Sequence, residues 1–244
     1  MAMKTKAVAR RKEAAAKPKN AAAENKASLA RYSIPSDALG KAAQQKIQDT
    51  TVGIVGLGGV GGFAALLCSQ AGFDIIAADG DVVEEKNLCR QALYLPCDIG
   101  KPKAVVAATR LAAHAHVSKI IAIAGRIDEK NLATYFGKCD VMLDCTDNFA
   151  TRKAIEAFCA KTGKPWIYAS ATNLEAMAAL VVGGKKILPK SEPKRKPPRT
   201  LNCTCATAAA LQVRLLYDWA QGGRLAGKTY YFDLGTMQLA SRKF

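Results

Sequence analysis

The residues best suited to chemistry lie in a glycine-rich turn that joins a short β-branched strand to an apolar helix. The turn contains Gly56, Gly58, Gly59 and Gly61. Because glycine lacks a Cβ atom, the backbone can turn sharply and bring its N–H groups against a phosphate at the positive end of the next helix. The pattern predicts a nucleotide-phosphate site. Taken alone, it also fits a dinucleotide-binding oxidoreductase or a tight turn without a ligand.

Acidic residues follow two of the predicted strands. Asp79 ends the second strand about 20 residues after the glycines, where a ribose-binding acid stands in nucleotide folds, and Asp81 lies close by. Asp147 and Asn148 follow the strand at 139–145. Carboxyl ends of parallel strands meet at one edge of the sheet, where ligands bind. A carboxylate there could hold Mg²⁺, or Asp147 or Asn148 could instead cap the next helix.

Cationic and amide side chains stand between these two acidic groups. Asn87, Arg90 and Gln91 form one short stretch, and Lys103 opens the helix that follows. Fixed cations beside a phosphate chain stabilise charge that develops during phosphate chemistry, which hydride transfer does not require. Arg90 and Lys103 could otherwise be solvated surface charges.

The elements that must position these residues alternate between strand and helix through the first half of the chain. The predicted strands are 51–56, 74–79, 118–124, 139–145, 165–171, 175–182, 229–233 and 237–242. The predicted helices are one from residue 38 onward, 59–71, 101–116, 129–137, 148–163 and 206–221. The short connection before 175–182 implies an antiparallel hairpin. The sequence therefore predicts an α/β, Rossmann-like doubly wound sheet, parallel in its first half, with antiparallel C-terminal strands.

The chain of 244 residues carries a formal net charge of +16, which would fit nucleic-acid binding. Six of these positive charges come from residues 1–30 and six from residues 185–199, so only four belong to the rest. The basicity therefore lies in two segments of a nearly balanced protein. We predict a disordered tail at 1–30, one domain at 31–244 and no general nucleic-acid surface, although a nucleic-acid partner stays open.

The sequence also predicts a cytoplasmic protein without membrane association. The N-terminal segment has no apolar core typical of a secretory signal, and no apolar run approaches the roughly 20 residues of a membrane helix. Most of the eight cysteines stand singly within predicted strands or helices, as reduced core thiols do.

Seven segments between Arg31 and the C-terminus carry a family resemblance. In chain order they are Arg31-Tyr32-Ser33, Gly56-Leu57-Gly58-Gly59-Val60-Gly61, Asp79-Gly80-Asp81, Asn87-Leu88-Cys89-Arg90-Gln91, Asp98-Ile99-Gly100-Lys101-Pro102-Lys103-Ala104, Asp144-Cys145-Thr146-Asp147-Asn148-Phe149-Ala150-Thr151-Arg152 and Tyr168-Ala169-Ser170-Ala171. Together they resemble the ubiquitin-activating-enzyme superfamily, in particular its small prokaryotic adenylyltransferases of molybdopterin and thiamine synthesis. Several motifs in the family's order are far more specific than the glycine-rich turn alone.

The resemblance implies that 31–244 is an ATP-binding adenylyltransferase domain that uses ATP and Mg²⁺ to adenylate a carboxylate and releases pyrophosphate. The implied substrate is the C-terminus of a small acidic ubiquitin-like sulfur-carrier protein, and the implied assembly is a homodimer. Arg90, Lys103 and Asp147 would be catalytic. Asp79 would bind the ribose, and Asp147 would hold Mg²⁺. The implied nucleotide-binding residues are Gly56, Gly58, Gly59, Gly61, Asp79, Asp81, Asn87, Arg90, Gln91, Lys103, Asp147 and Asn148.

The chain departs from the family pattern at three places. Many relatives carry an arginine that reaches the partner subunit's ATP at the position of Ile34. Relatives also carry two Cys-x-x-Cys pairs for structural zinc, whereas residues 182–191 contain no cysteine, so we predict no zinc site. The crossover loop that normally covers the carrier's tail, here the basic segment 185–205, is short.

Cys203 falls where thiamine-pathway relatives place a cysteine that becomes linked to the sulfur carrier. The basic residues before it would favour the thiolate. Cys205 is an equal candidate by position, and both thiols could instead serve only in packing.

Other functions are also compatible with the sequence. Within the adenylation hypothesis, the substrate could be a peptide, a cofactor-precursor carboxylate or a modified nucleoside of transfer RNA. From other classes, an NAD-dependent oxidoreductase or a degenerate binding module that no longer turns over would retain the same fold.

Overall fold

The structure, a computed structural model, describes residues 30–115, 118–192 and 200–244. The predicted basic tail lies outside this range except for its last residue. Residues 193–199 of the predicted basic loop also lie outside it. The tail stays a prediction, and the loop is tested only at its described ends.

Eight strands form a single sheet. They are β1 (Thr51–Val55), β2 (Asp74–Asp79), β3 (Ile120–Ala124), β4 (Val141–Asp144), β5 (Trp166–Thr172), β6 (Glu175–Val181), β7 (Lys228–Asp233) and β8 (Gln238–Lys243). Their order is β3-β2-β1-β4-β5-β6-β7-β8, in which β1 to β5 pair in parallel and β6, β7 and β8 are added antiparallel. The predicted fold class is confirmed. The strand order reverses between β1 and β4, and the carboxyl edge there is where such sheets bind ligands.

Helices connect and cover these strands. They are α1 (Ser33–Leu39), α2 (Lys41–Gln48), α3 (Gly59–Ala71), α4 (Lys103–His114), α5 (Leu132–Phe136), α6 (Phe149–Thr162) and α7 (Asn202–Ala220). The lead helix predicted from residue 38 onward corresponds to α2, and α1 before it was not predicted. The two helices are separate because Gly40 between them adopts a positive φ of 90°. Within the described residues, no helix combines the length and apolar character needed to cross a membrane.

The last helix begins four residues earlier than predicted. The amide of Cys205 donates to the Leu201 carbonyl at 3.1 Å and closes the first turn. The Thr204 hydroxyl donates to the Asn173 carbonyl at 2.7 Å and ties this turn to the β5–β6 connection. The predicted loop at 185–205 is therefore corrected: it ends at Leu201, and Cys203 lies in the first turn of a helix.

Both faces of the sheet are covered at its central strands, which explains the apolar character of β1. Val52 and Ile54 of β1 belong to the core formed with α3, α4 and α7, whereas Val55 belongs to the core that includes Phe136 and Trp166. Alternate residues of a strand face opposite sides of a sheet. The nucleotide edge of β1 is thus held between two packed layers.

Candidate active site

The glycine-rich turn between β1 and α3 passes very close to the end of β4. Gly56 has a φ of 91°, and a Cβ atom there would lie 2.7 Å from the Cys145 carbonyl oxygen. A Cβ atom on Gly61 would overlap the carbonyl oxygen of Gly56. Only glycine fits these two positions. The structure thus places the predicted phosphate turn at the start of a helix and at the switch point of the sheet.

Asp79, at the end of β2, braces this turn. One carboxylate oxygen accepts from the Leu57 amide at 2.7 Å, and the other accepts from the Asp81 amide at 2.8 Å. Burial raises the pKa of the Asp79 carboxyl, while the two amide hydrogen bonds lower it. Asp79 remains partly exposed at the nucleotide edge. The predicted ribose ligand therefore also shapes the phosphate turn, a role that the sequence did not reveal.

Lys103 is a buried ammonium group at the same edge. Lys103 is only 5% exposed, and its Nζ lies 3.3 Å from Oδ2 of Asp81. The Asp81 side chain is largely exposed. Lys103 is the first residue of α4, where a positive charge opposes the helix dipole. Lys103 is thus a buried cation at an unfavourable helix end, and its partner Asp81 lies at the surface of the nucleotide edge.

The loop that carries the other predicted phosphate ligands supplies one guanidinium and one amide. Arg90 donates to the Lys86 carbonyl at 2.9 Å, and it has no carboxylate partner among the residues described here. Gln91 is 4% exposed and faces Gly58, with its Nε2 3.6 Å from a Cβ built there. The buried Gln91 Oε1 accepts no hydrogen bond from the described part of the chain.

Asn87 has a structural role in this loop. Its side chain is buried, and its Oδ1 accepts from the Glu84 amide at 3.3 Å. This hydrogen bond caps the 3-10 turn at Glu85–Asn87. The residue therefore fixes the loop that carries Arg90.

Asp147 and Asn148 follow β4 and have different roles. Asn148 caps α6, because its Oδ1 accepts from the Thr151 amide at 3.1 Å. Asp147 is exposed and has neither a hydrogen-bond nor an ion-pair partner within residues 30–115, 118–192 and 200–244. Helix capping, the alternative noted from the sequence, thus accounts for Asn148 and leaves the Asp147 carboxylate available.

Arg152 holds the turn that carries Asp147. Its guanidinium donates to the Thr146 carbonyl, to the Ala169 carbonyl at 3.3 Å and to the Tyr168 hydroxyl at 3.1 Å, and it stacks on the Tyr168 ring. These contacts connect the β4–α6 turn to the middle of β5, where Tyr168 pairs with Asp144. Arg152 lies in a segment that resembles the family, but its role is not evident from the sequence; its position one helical turn after the cap of α6 was the available signal.

The same guanidinium neutralises a buried acid. Arg152 Nε lies 3.0 Å from Oδ2 of Asp144, which is fully buried at the end of β4. Burial raises the pKa of the Asp144 carboxyl, and Arg152 lowers it. This carboxylate is committed to an internal ion pair, so Asp147 is the better candidate for a metal ligand.

The two cysteines at the start of α7 are in different environments. Cys203 is exposed. Cys205 is 2% exposed, and burial raises the pKa of its thiol to about 11. Its Sγ fills the space beside Gly59, where a Cβ atom would lie 2.5 Å away. Cys203 is therefore accessible to a substrate, whereas Cys205 packs beneath the glycine-rich turn.

The edge can accept Mg²⁺ if the ion arrives with the nucleotide. Magnesium is usually bound through one or two carboxylates, substrate phosphates and water. The free carboxylate of Asp147 beside the phosphate turn matches that donor set. Among the described residues, no group of three or more His, Cys, Asp or Glu side chains could hold a metal ion by itself.

The fold and this edge define a nucleotide-binding protein of the doubly wound α/β class. The chain belongs to the ThiF family, whose model matches residues 31–244. The resemblance noted from the sequence motifs is thereby confirmed.

Named relatives show the extent of the similarity. The chain is 40% identical over 152 residues to the sulfur carrier protein ThiS adenylyltransferase of Escherichia coli (strain K12), covering 61% of each chain. It is 30% identical over 224 residues to the SAMP-activating enzyme E1 of Haloferax volcanii, covering 84% of this chain and 81% of the relative. The crystal structure of E. coli MccB with ATP superposes with a TM-score of 0.78 at 23% identity, covering 87% of this chain and 71% of that chain, which shows a shared fold.

The contact between Gly59 and Cys205 gives a testable prediction. Gly59→Ala should destabilise the protein by about 1–3 kcal/mol, because the new methyl group meets a thiol that has little room to move. In a Cys205→Ala background the nearest remaining atom would lie 3.4 Å away, so the same change should be neutral or slightly stabilising. Urea denaturation of the four proteins measures the coupling. Equal effects of Gly59→Ala in both backgrounds would show that the two residues do not touch.

Proposed function

We propose that this protein catalyses ATP- and Mg²⁺-dependent adenylation of a carboxylate, namely the C-terminus of a small, acidic ubiquitin-like sulfur-carrier protein. The observation that carries the proposal is the buried ammonium of Lys103 at the start of α4, on the same edge as the phosphate turn. Arg90 adds a second cation there. Two fixed cations suit a reaction in which negative charge moves along a phosphate chain.

The proposed reaction follows from these positions. An oxygen of the substrate carboxylate attacks the α-phosphorus of ATP, a new P–O bond forms, and the bond to pyrophosphate breaks. Charge then increases on the α-phosphate oxygens and on the departing pyrophosphate, where Arg90 and Lys103 stabilise it. Asp147 would hold Mg²⁺, which when bound neutralises part of the pyrophosphate charge. Asp79 keeps the phosphate turn in place through Leu57.

The relatives support the choice of substrate. One is named for the sulfur carrier protein ThiS, another for activating SAMP, and structures of MccB contain ATP or MccA. We therefore rank a sulfur carrier first. A peptide is the second candidate, and a cofactor precursor or a transfer-RNA nucleoside follows. The exposed Ile34, at the position where relatives carry an arginine for the partner's ATP, leaves the proposed homodimer without that trans contact.

Two other classes explain less of the site. An NAD-dependent oxidoreductase would use the glycine-rich turn and Asp79, but it has no use for Lys103 and Arg90. A degenerate binding module would have no need for the free carboxylate of Asp147. We propose an active, cytoplasmic enzyme instead.

Pyrophosphate exchange tests the proposal. With ATP, Mg²⁺ and a sulfur carrier that ends in Gly-Gly, wild type should exchange pyrophosphate into ATP, and Asp147→Ala and Arg90→Ala should each lose at least ~100-fold. Asp49→Ala, before β1 at the opposite edge, and Arg242→Ala, on β8, serve as matched controls. Exchange at the wild-type rate by a folded Asp147→Ala or Arg90→Ala protein would contradict the placement of the phosphates. Exchange with a short peptide and not with any carrier would favour the second substrate.

The thiols allow a separate test of carrier capture. The acyl group of the carrier adenylate would pass to Cys203 Sγ with release of AMP, forming a thioester that a thiol reagent cleaves. After incubation with carrier and ATP, mass spectrometry should show this adduct in wild type and in Cys205→Ser, and not in Cys203→Ser. An adduct that persists in Cys203→Ser and disappears in Cys205→Ser would reverse the assignment. No adduct in any protein would remove the thiol step and leave adenylation intact.

A further inference from the structure

A buried carboxylate on α6 binds the segment that leaves β6. Glu156 is 1% exposed. Its Oε1 accepts from the backbone amides of Ile187 and Leu188, each at 2.7 Å, and its Oε2 lies 2.8 Å from Lys153 Nζ. Both carboxylate oxygens are thus partnered. The two amides belong to a segment without regular secondary structure, so these hydrogen bonds take the place of a sheet or helix ladder there.

The free-energy cost of burying the Glu156 carboxylate indicates that this residue has a specific role. Burying a charged carboxylate is unfavourable unless hydrogen bonds and an opposite charge compensate it, and hydrogen bonds to a charged acceptor are among the strongest in proteins. The side chains of Ile187 and Leu188 also pack against the core that contains Phe136 and Trp166. Polar and apolar contacts therefore fix the same two residues on α6.

The other end of the connection to α7 is also held. Thr200 forms an isolated bridge with Asn173, and its hydroxyl donates to the Ala171 carbonyl at 3.3 Å. Thr204 then binds the Asn173 carbonyl. The connection is therefore fixed to α6 at residues 187–188 and to the nucleotide edge of β5 at residue 200.

The family resemblance implies zinc for this region, and the residues present do not fit it. Residues 182–191 contain no cysteine. Among the described residues, no cluster of His, Cys, Asp and Glu side chains could hold a metal ion. The segment is nevertheless anchored, by Glu156.

We propose that the Glu156 carboxylate replaces a structural metal ion as the anchor of this segment. We further propose that it positions Lys186 and Lys190, both exposed on either side of the anchored residues, for an acidic substrate. Glu156 lies two helical turns along α6 from Asn148, so the anchored segment passes about 12 Å from the nucleotide edge, within the span of a protein substrate bound there. The anchoring stands by itself, whereas the part concerning the substrate rests on the proposed function.

Hydrogen exchange tests the anchor directly. In Glu156→Ala, the amides of Ile187 and Leu188 should exchange at least about tenfold faster than in wild type, because they lose a charged acceptor and open locally. Glu156→Gln, which keeps a neutral acceptor, should show a smaller increase, and it serves as the test if the alanine variant does not fold. Lys161→Met is the matched control, since it removes an exposed charge on the same helix and leaves Glu156 and its partners intact, so residues 187–188 should exchange close to wild type.

Two results would overturn the anchor. One is wild-type exchange at residues 187–188 in both Glu156 variants. The other is a rise to the alanine-variant rate when wild type is dialysed against EDTA, which would show that a metal ion holds the segment.

The positioning role has its own readout. With E. coli sulfur carrier protein ThiS as the probe, Glu156→Gln should raise KM for the carrier several-fold while kcat and the affinity for ATP change little. An unchanged KM, or an equal loss in kcat, would overturn this part. If wild type shows no pyrophosphate exchange, the proposed function and this positioning role both fail. The hydrogen-exchange test of the anchor does not depend on that result, so the two failures are distinguishable.

Discussion

The nucleotide edge depends on one steric constraint, the close approach of the β1–α3 turn to the end of β4. No side chain fits at Gly56 or Gly61, because carbonyl oxygens occupy the space on that side. Neighbouring elements then hold the turn in place. Asp79 binds the Leu57 amide from β2, and the Tyr94 hydroxyl donates to the Leu57 carbonyl at 2.7 Å. Because the amide and the carbonyl of Leu57 are both held, the rest of the turn is fixed in a position to present its other amides to a phosphate.

Charged residues near this edge fall into two groups. Asp144 with Arg152 and Glu156 with Lys153 are internal pairs whose acids are buried, and each holds a loop in place. Asp147, by contrast, is exposed and unpartnered in the part of the chain that the structure describes. Buried pairs contribute mainly to positioning, and removing one partner leaves an uncompensated charge. The carboxylate of Asp147 is therefore the one we assign to a ligand, whereas Asp144 and Glu156 position loops.

The sequence predicted the features that are encoded locally. Neighbouring residues are enough to predict the apolar strands, the glycine-rich turn and the acids at strand ends. The order of the family motifs then predicted that these features meet at one edge. The start of α7 was mispredicted because it depends on a hydrogen bond between Thr204 and Asn173, far apart in the chain. The different environments of Cys203 and Cys205 and the role of Glu156 also depend on such distant contacts. Such pairings cannot be predicted from sequence periodicity.

We propose that this edge binds ATP for phosphate chemistry and does not bind a nicotinamide dinucleotide for hydride transfer. Isothermal titration calorimetry of the full chain with ATP and Mg²⁺, and separately with NAD⁺, tests it most directly. We expect micromolar affinity for ATP with Mg²⁺ and no measurable binding of NAD⁺. Micromolar binding of NAD⁺ without binding of ATP would contradict it.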